Sequence, residues 1–179
     1  MRIMMNFDDI TQDGRLWSVR YDGESENALF NCFDKWNNVE WLRDFFIQNQ
    51  DDLDSYFNVT DVNEAISNTI EDADKLQCLI LDLSPDADLE KIFRPLDNRQ
   101  TAALILDKEK ARYSWLRLYA IRLEKGAFII TGGAIKLTAT MSERRHTFEE
   151  LAKMEKVRNF LLDAGVVDKD SFEDYKSSL

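Results

Sequence analysis

The hydrophobic period of this chain changes from two to about 3.6 and back, and each change confines a stretch to one kind of element. Before residue 34, apolar and β-branched residues fall in short runs at 2–7, 14–21 and 27–33, punctuated by Asp13-Gly14 and Asp22-Gly23, which are turn signals. These runs predict a β-meander. In the middle run Leu16, Ser18 and Arg20 point one way and Trp17, Val19 and Tyr21 the other. From Asn38 the spacing becomes helical: Val39, Leu42, Phe45, Phe46, Leu53, Tyr56 and Phe57 share a face, with Asn37 or Asn38 as the cap. A second helix follows Thr60, with Ala65, Ile66, Ile70, Ala73, Leu76, Leu79, Ile80 and Leu83 as its stripe, and Ser84-Pro85 ends it.

The period returns to two in the second half. A helical turn through Leu89, Ile92 and Phe93 is closed by Pro95, and a short strand with a charged loop fills the stretch to Tyr113. Residues 115–123 and 127–131 form an antiparallel hairpin about the turn Glu124-Lys125-Gly126. Gly132-Gly133 is then either a bulge or a tight turn before a further strand at 134–138. Thr147 to Glu150 match a capping box, Leu151, Met154, Val157, Phe160 and Leu161 supply a helical stripe that stops at Ala164-Gly165, and a last short helix starts at Ser171. The fold class is α+β: a twisted antiparallel sheet with packed helices. Residues 1–36 make an N-terminal β-meander extension to an α+β domain at 37–179, the whole forming one compact unit.

With 179 residues and 44% hydrophobic content the chain can bury a sizeable core. No apolar run approaches the roughly 20 residues needed to cross a bilayer, and the N-terminus lacks the features of a signal peptide, so a cytoplasmic protein is expected. Cys32, placed in a strand, and Cys78, placed in a helix, have no metal-ligand spacing and are expected to be reduced core fillers.

The net charge of −11 is unevenly spread. Residues 1–93 hold 21 acidic against 7 basic side chains, whereas residues 94–145 hold 11 basic (among them Arg94, Arg99, Lys108, Lys110 and Arg112) against 5 acidic. Either the basic stretch is a working surface for an anion, or the two halves neutralise each other in the fold.

A single His, no paired Cys and no glycine-rich phosphate loop leave metal and Ser/His/Asp chemistry with little support, and no cofactor is expected. The strand at 115–123 is more informative. Alternation puts Arg117 beside Tyr119 on one face, while Leu116, Leu118, Ala120 and Arg122 share the other. An arginine grips phosphate with two hydrogen bonds, and a tyrosine stacks on a base or relays a proton. With Lys136 they can stabilise the charge that develops when an RNA 2′-hydroxyl attacks its own phosphate, a reaction that needs no metal. His146 offers a second proton-handling group. The opposing possibility is that Arg117 pairs with a helix carboxylate, that Tyr119 is a core edge and that Arg122 merely flanks a turn.

The runs at 116–122 (LRLYAIR) and 128–138 (FIITGGAIKLT), with Met141 and the helix from Thr147, resemble the second half of RelE/ParE superfamily toxins, especially the HigB-like branch. The resemblance spans about residues 90–160; where the family has a doubled lysine, this chain has Lys136-Leu137. It implies a RelE/ParE-like fold, a toxin of a toxin-antitoxin system that cleaves messenger RNA on the ribosome without a metal, and a cognate helix-turn-helix antitoxin. Carried over by position, Arg117 and Lys136 bind and stabilise the scissile phosphate, Tyr119 or His146 handles a proton, and Arg122, Arg144 and Arg145 contact RNA backbone. The alternative is a non-enzymatic acidic interaction protein that binds a basic partner, its basic strands serving as internal counter-charge.

Overall fold

In the computed structural model, which describes residues 5–96 and 106–179, the alternating segments become six strands of one sheet. They are β1 (Met5–Asp9), β2 (Leu16–Tyr21), β3 (Phe93–Pro95), β4 (Asp107–Tyr113), β5 (Leu116–Leu123) and β6 (Ala127–Ile135). Their order is β1-β2-β6-β5-β4-β3. The sheet is mixed rather than wholly antiparallel, because β2 runs parallel to β6, with Leu16, Trp17 and Ser18 opposite Phe128, Ile129 and Ile130. β6 is apolar on both faces and takes an interior position, so both of its edges are used: β5 through the hairpin and β2 from the N-terminal pair.

The expected third strand of the meander is instead helix α1 (Ala28–Trp36). The Asn27 side chain caps it by accepting from the Phe30 N–H at 3.2 Å, and the buried residues Ala28, Leu29, Cys32, Phe33 and Trp36 recur at helical spacing. Cys32 is therefore a buried helical residue, while Cys78 is exposed and fills no core. The helix expected from Asn38 to Phe57 is two: α2 (Val39–Gln48), capped by Asn38, and α3 (Gln50–Phe57). They part at Asn49, whose side-chain amide donates to the Phe45 carbonyl at 2.8 Å. Helix α4 (Val62–Leu81) follows, capped by Asp61, then the short α5 (Leu89–Ile92), and α6 (Arg145–Asp163) and α7 (Lys169–Ser177) close the chain. Thr147 lies inside α6 rather than at its cap; its hydroxyl donates to the Met141 carbonyl at 2.5 Å.

Helices cover both faces of the sheet. On one, Leu29, Phe33 and Trp36 of α1, Phe46 of α2 and Leu76 of α4 pack on Leu116, Leu118, Phe128 and Ile130. On the other, Met154, Val157 and Leu161 of α6 and Phe172 of α7 pack on Val19, Tyr119, Ile121 and Ile129. Each fully buried side chain of this kind contributes about 1.5–3 kcal/mol. Trp115 fastens the first layer: its indole N–H donates to Thr69 Oγ1 at 2.9 Å, and its ring meets Phe46 and Phe57 edge-on. Gly132-Gly133 resolves as a bulge. Ala120 is opposite Ile130 and Tyr119 opposite Gly132, so Thr131 is the extra residue, and β6 continues through to Ile135 with no separate strand at 134–138.

Candidate functional site

Alternation along β5 places Arg117 and Tyr119 on the α6 face, as the sequence predicts, but the two behave differently. Arg117 is only 7% exposed and, among the described residues, pairs with no helix carboxylate; its Nη1 donates to the Ser114 and Leu116 carbonyls at 2.7 and 2.9 Å. Burial, reinforced by Arg112, pushes its guanidinium down to about 10. Tyr119 is fully buried, its hydroxyl has no hydrogen-bond partner among the described residues, and burial holds its proton more tightly than usual.

Lys136 follows β6, anchored by its backbone N–H on the Trp115 carbonyl at 2.8 Å, with Nζ donating to the Ala139 carbonyl at 3.0 Å. It lines a cleft of about 700 Å³ together with Tyr119, Lys108, Lys110, Glu155 and Arg158. Burial lowers the proton affinity of Lys136, and Arg117, Lys110 and Arg112 lower it further. Lys108 is held by Glu155 at 2.5 Å, and Arg158 Nε donates to the Leu106 carbonyl at 3.3 Å. Lys136 thus sits in a partly desolvated field of positive charge, and Tyr119 lines the same cleft.

The other candidates lie elsewhere. Arg122, on the opposite face of β5, forms ion pairs with Glu109 at 3.2 Å, Asp107 at 3.7 Å and Glu90 at 3.9 Å. Arg144 grips Asp52 of α3 with two hydrogen bonds of 2.6 and 2.7 Å, and Arg145 pairs with Glu149 on the surface. His146 places Nε2 2.8 Å from the carbonyl of Ile135, the residue before Lys136, packs edge-on against Phe45, and lines a different cavity from Lys136. Arg99 lies outside the described residues.

A second cavity, of about 370 Å³, opens where β2 stops pairing with β6 beyond Ser18 and Ile130. α1 bounds one side and α6 the other. The Tyr21 hydroxyl spans the gap to donate to the Thr131 carbonyl. Glu150 of α6 lines it: Oε1 accepts from Lys153 at 3.0 Å, while Oε2 is buried without a partner among the described residues, and burial raises its carboxyl above the usual range. Glycine is required beside it. A Cβ on Gly132 would fall 2.2 Å from Glu150 Oε2, and one on Gly133 would fall 2.6 Å from the Arg117 carbonyl and 2.9 Å from Cys32 Sγ. Cys32 itself is pushed up to about 12 by burial and then by Glu150, so it stays a thiol. Sequence reasoning assigned Glu150 to a cap. Its signal was its place in the series Thr147, Glu150, Met154, Val157, Leu161, a buried stripe interrupted by one carboxylate.

Among the described residues no helix is long and apolar enough to cross a membrane, and no group of three or more His, Cys, Asp or Glu is arranged to hold a metal ion. No family model, curated protein or solved structure matches this chain.

Proposed function

We propose that this protein is a RelE/ParE-like toxin that binds single-stranded RNA in the Lys136 cleft and cleaves it without a metal. The observation that carries the reading is the setting of Lys136: a lysine in a cleft, its ammonium disfavoured by burial and by Arg117, Lys110 and Arg112, stands to gain from an incoming phosphate. Lys136 is the direct phosphate contact. Arg117, with Nη1 already committed to two carbonyls, acts through space by raising the local potential.

In the reaction the RNA 2′-oxygen bonds to the adjacent phosphorus and the bond from phosphorus to the 5′-oxygen breaks, leaving a 2′,3′-cyclic phosphate and a 5′-hydroxyl. The 2′-hydroxyl proton leaves to solvent at the cleft mouth. The 5′-oxygen takes its proton from water at the cleft mouth; the Tyr119 hydroxyl is fully buried and burial makes it a weaker acid than usual, so it is not the proton donor the sequence suggested. His146 lines the other cavity, where it holds the end of β6, and Arg122 and Arg144 are spent on internal carboxylates. Those two ion pairs favour one feature of a second reading, a non-enzymatic protein whose acidic helices bind a basic partner while its basic residues serve as internal counter-charge. The test is induced expression of the native chain and of Lys136→Ala: the toxin reading requires growth arrest and messenger RNA loss that the variant abolishes, and an inert native chain contradicts it.

A further inference from the structure

We infer that the cavity between β2, β6, α1 and α6 is a nucleobase pocket that favours guanine, with Glu150 as the group that reads the base. The inference rests on the RNA-binding reading and extends it to base preference. Four observations converge on it. The first is the orphaned Glu150 Oε2, a buried acceptor beside Gly132 whose companion Oε1 already takes a hydrogen bond from Lys153. A carboxylate is acceptor-only when ionised, so a ligand that completes it, as the side chain turns toward the cavity, must bring hydrogen-bond donors. Among the four RNA bases only guanine presents two adjacent donors, N1–H and the 2-amino group, on one edge.

The second is the wall. Tyr21, Trp41 and Phe45 are part-exposed rings lining a volume within the range of small-molecule sites, with Trp41 and Phe45 stacked on each other at 5.6 Å, so that they offer a base their rims rather than free faces. The third is the free edge of β6. Lys136 N–H bonds β5, so the alternation of an antiparallel ladder turns Gly133 N–H and C=O toward the side β2 has vacated. The flanking Thr131 and Ile135 carbonyls are occupied by Tyr21 and His146, which leaves one residue of open edge, enough for the rim of a base and too little for an added strand.

The fourth decides against a guanidinium from a basic partner. The ring faces of Trp41 and Tyr21 already carry Lys35 at 5.9 Å and Lys153 at 5.7 Å. These lysines repel a further cation and suit the phosphate attached to a base. The pocket also adjoins the cleft, since Ile135 lines one and Lys136 the other, so a strand crossing the end of β6 would place a base in the first and a phosphate in the second.

The test is titration of the full chain with GMP, IMP, AMP, CMP and UMP, followed by tryptophan fluorescence or calorimetry, beside cleavage of short RNAs carrying a single G or a single inosine. GMP should bind about tenfold more tightly than IMP or AMP, and Glu150→Gln should remove that margin. Gln keeps the shape and removes a buried charge, and the GMP against IMP comparison on the native chain needs no variant. Equal binding of all five nucleotides, no binding, indifference to Glu150→Gln, or capture of arginine amide in place of GMP would each overturn the inference. If RNA is cleaved with no preference for G and no dependence on Glu150, the pocket inference fails while the ribonuclease reading stands. If GMP binds through Glu150 but RNA is neither bound nor cleaved, the ribonuclease reading fails and the pocket is a site for a free nucleotide.

Discussion

Buried charge on this sheet is compensated to very different degrees. Glu109, buried on β4 beside Asp107, is pushed up to about 7 by desolvation, with Arg122 opposing the rise. In the unfolded chain it titrates near 4.5, so between about pH 4.5 and 7 the folded protein keeps a proton that the unfolded chain has lost. Its contribution therefore favours folding below pH 4.5, declines through that window and stays low above it. Urea denaturation across pH 4.5–8 should show the native chain losing roughly 1–3 kcal/mol relative to Glu109→Gln; parallel curves would contradict the assignment. Lys136 is the opposite case, a cation in a cationic field. Lys136→Ala should lower RNA cleavage at least about 100-fold, and Lys136→Arg, which keeps the charge, should retain part of it. Single-turnover rates on a short RNA check this, and equal rates for the Ala and Arg variants would show that charge is irrelevant at that position.

At the level of elements the Gly132-Gly133 bulge holds most of the local design. Two helices close on β6 from opposite faces, α6 through Glu150 onto Gly132 and α1 through Cys32 and Trp36 onto Gly133. Gly133→Ala meets backbone at 2.6 Å and should cost about 2–3 kcal/mol in chemical denaturation. Gly132→Ala meets only the end of a side chain and should cost less while displacing the Glu150 carboxylate. A larger loss for Gly132→Ala would mean that the helices are packed differently. The glycine pair was legible as a possible bulge, but the reason for it was not, because sequence does not reveal what approaches from either side. The same limit explains α1. Asn27 and the 28, 29, 32, 33, 36 spacing were both in view, yet Leu29 to Phe33 read equally well as an apolar strand, and only packing against Leu116 and Ile130 selects the helix. The hairpin β5–β6 and helix α4 came through because long runs carry their period unambiguously. Of the candidate site, Lys136 and Tyr119 were legible from alternation and proximity along one hairpin. Glu150 was not, since a carboxylate on a helix is ordinarily a solvated one.

Across the whole molecule the charge contrast between the halves resolves into two parts. Some of it is internal: Arg144 is matched by Asp52, Arg122 by Glu109 and Asp107, and Lys108 by Glu155. Another part lies around Lys136, whose proton affinity Arg117, Lys110 and Arg112 all lower. If RNA binding by this protein of net charge −11 rests on Lys136 as the direct phosphate contact, its salt dependence should be weak, a slope of log affinity against log salt of about −0.7 for one contact on a single strand. Binding titrations at several salt concentrations give that slope, and a value near zero would exclude phosphate recognition. The most direct measurement is incubation of the purified native chain and Lys136→Ala with end-labelled single-stranded RNA in excess EDTA. Cleavage by the native chain to 2′,3′-cyclic phosphate ends, lost in the variant, is the predicted result; intact RNA, or equal cleavage by both proteins, would contradict the proposed function.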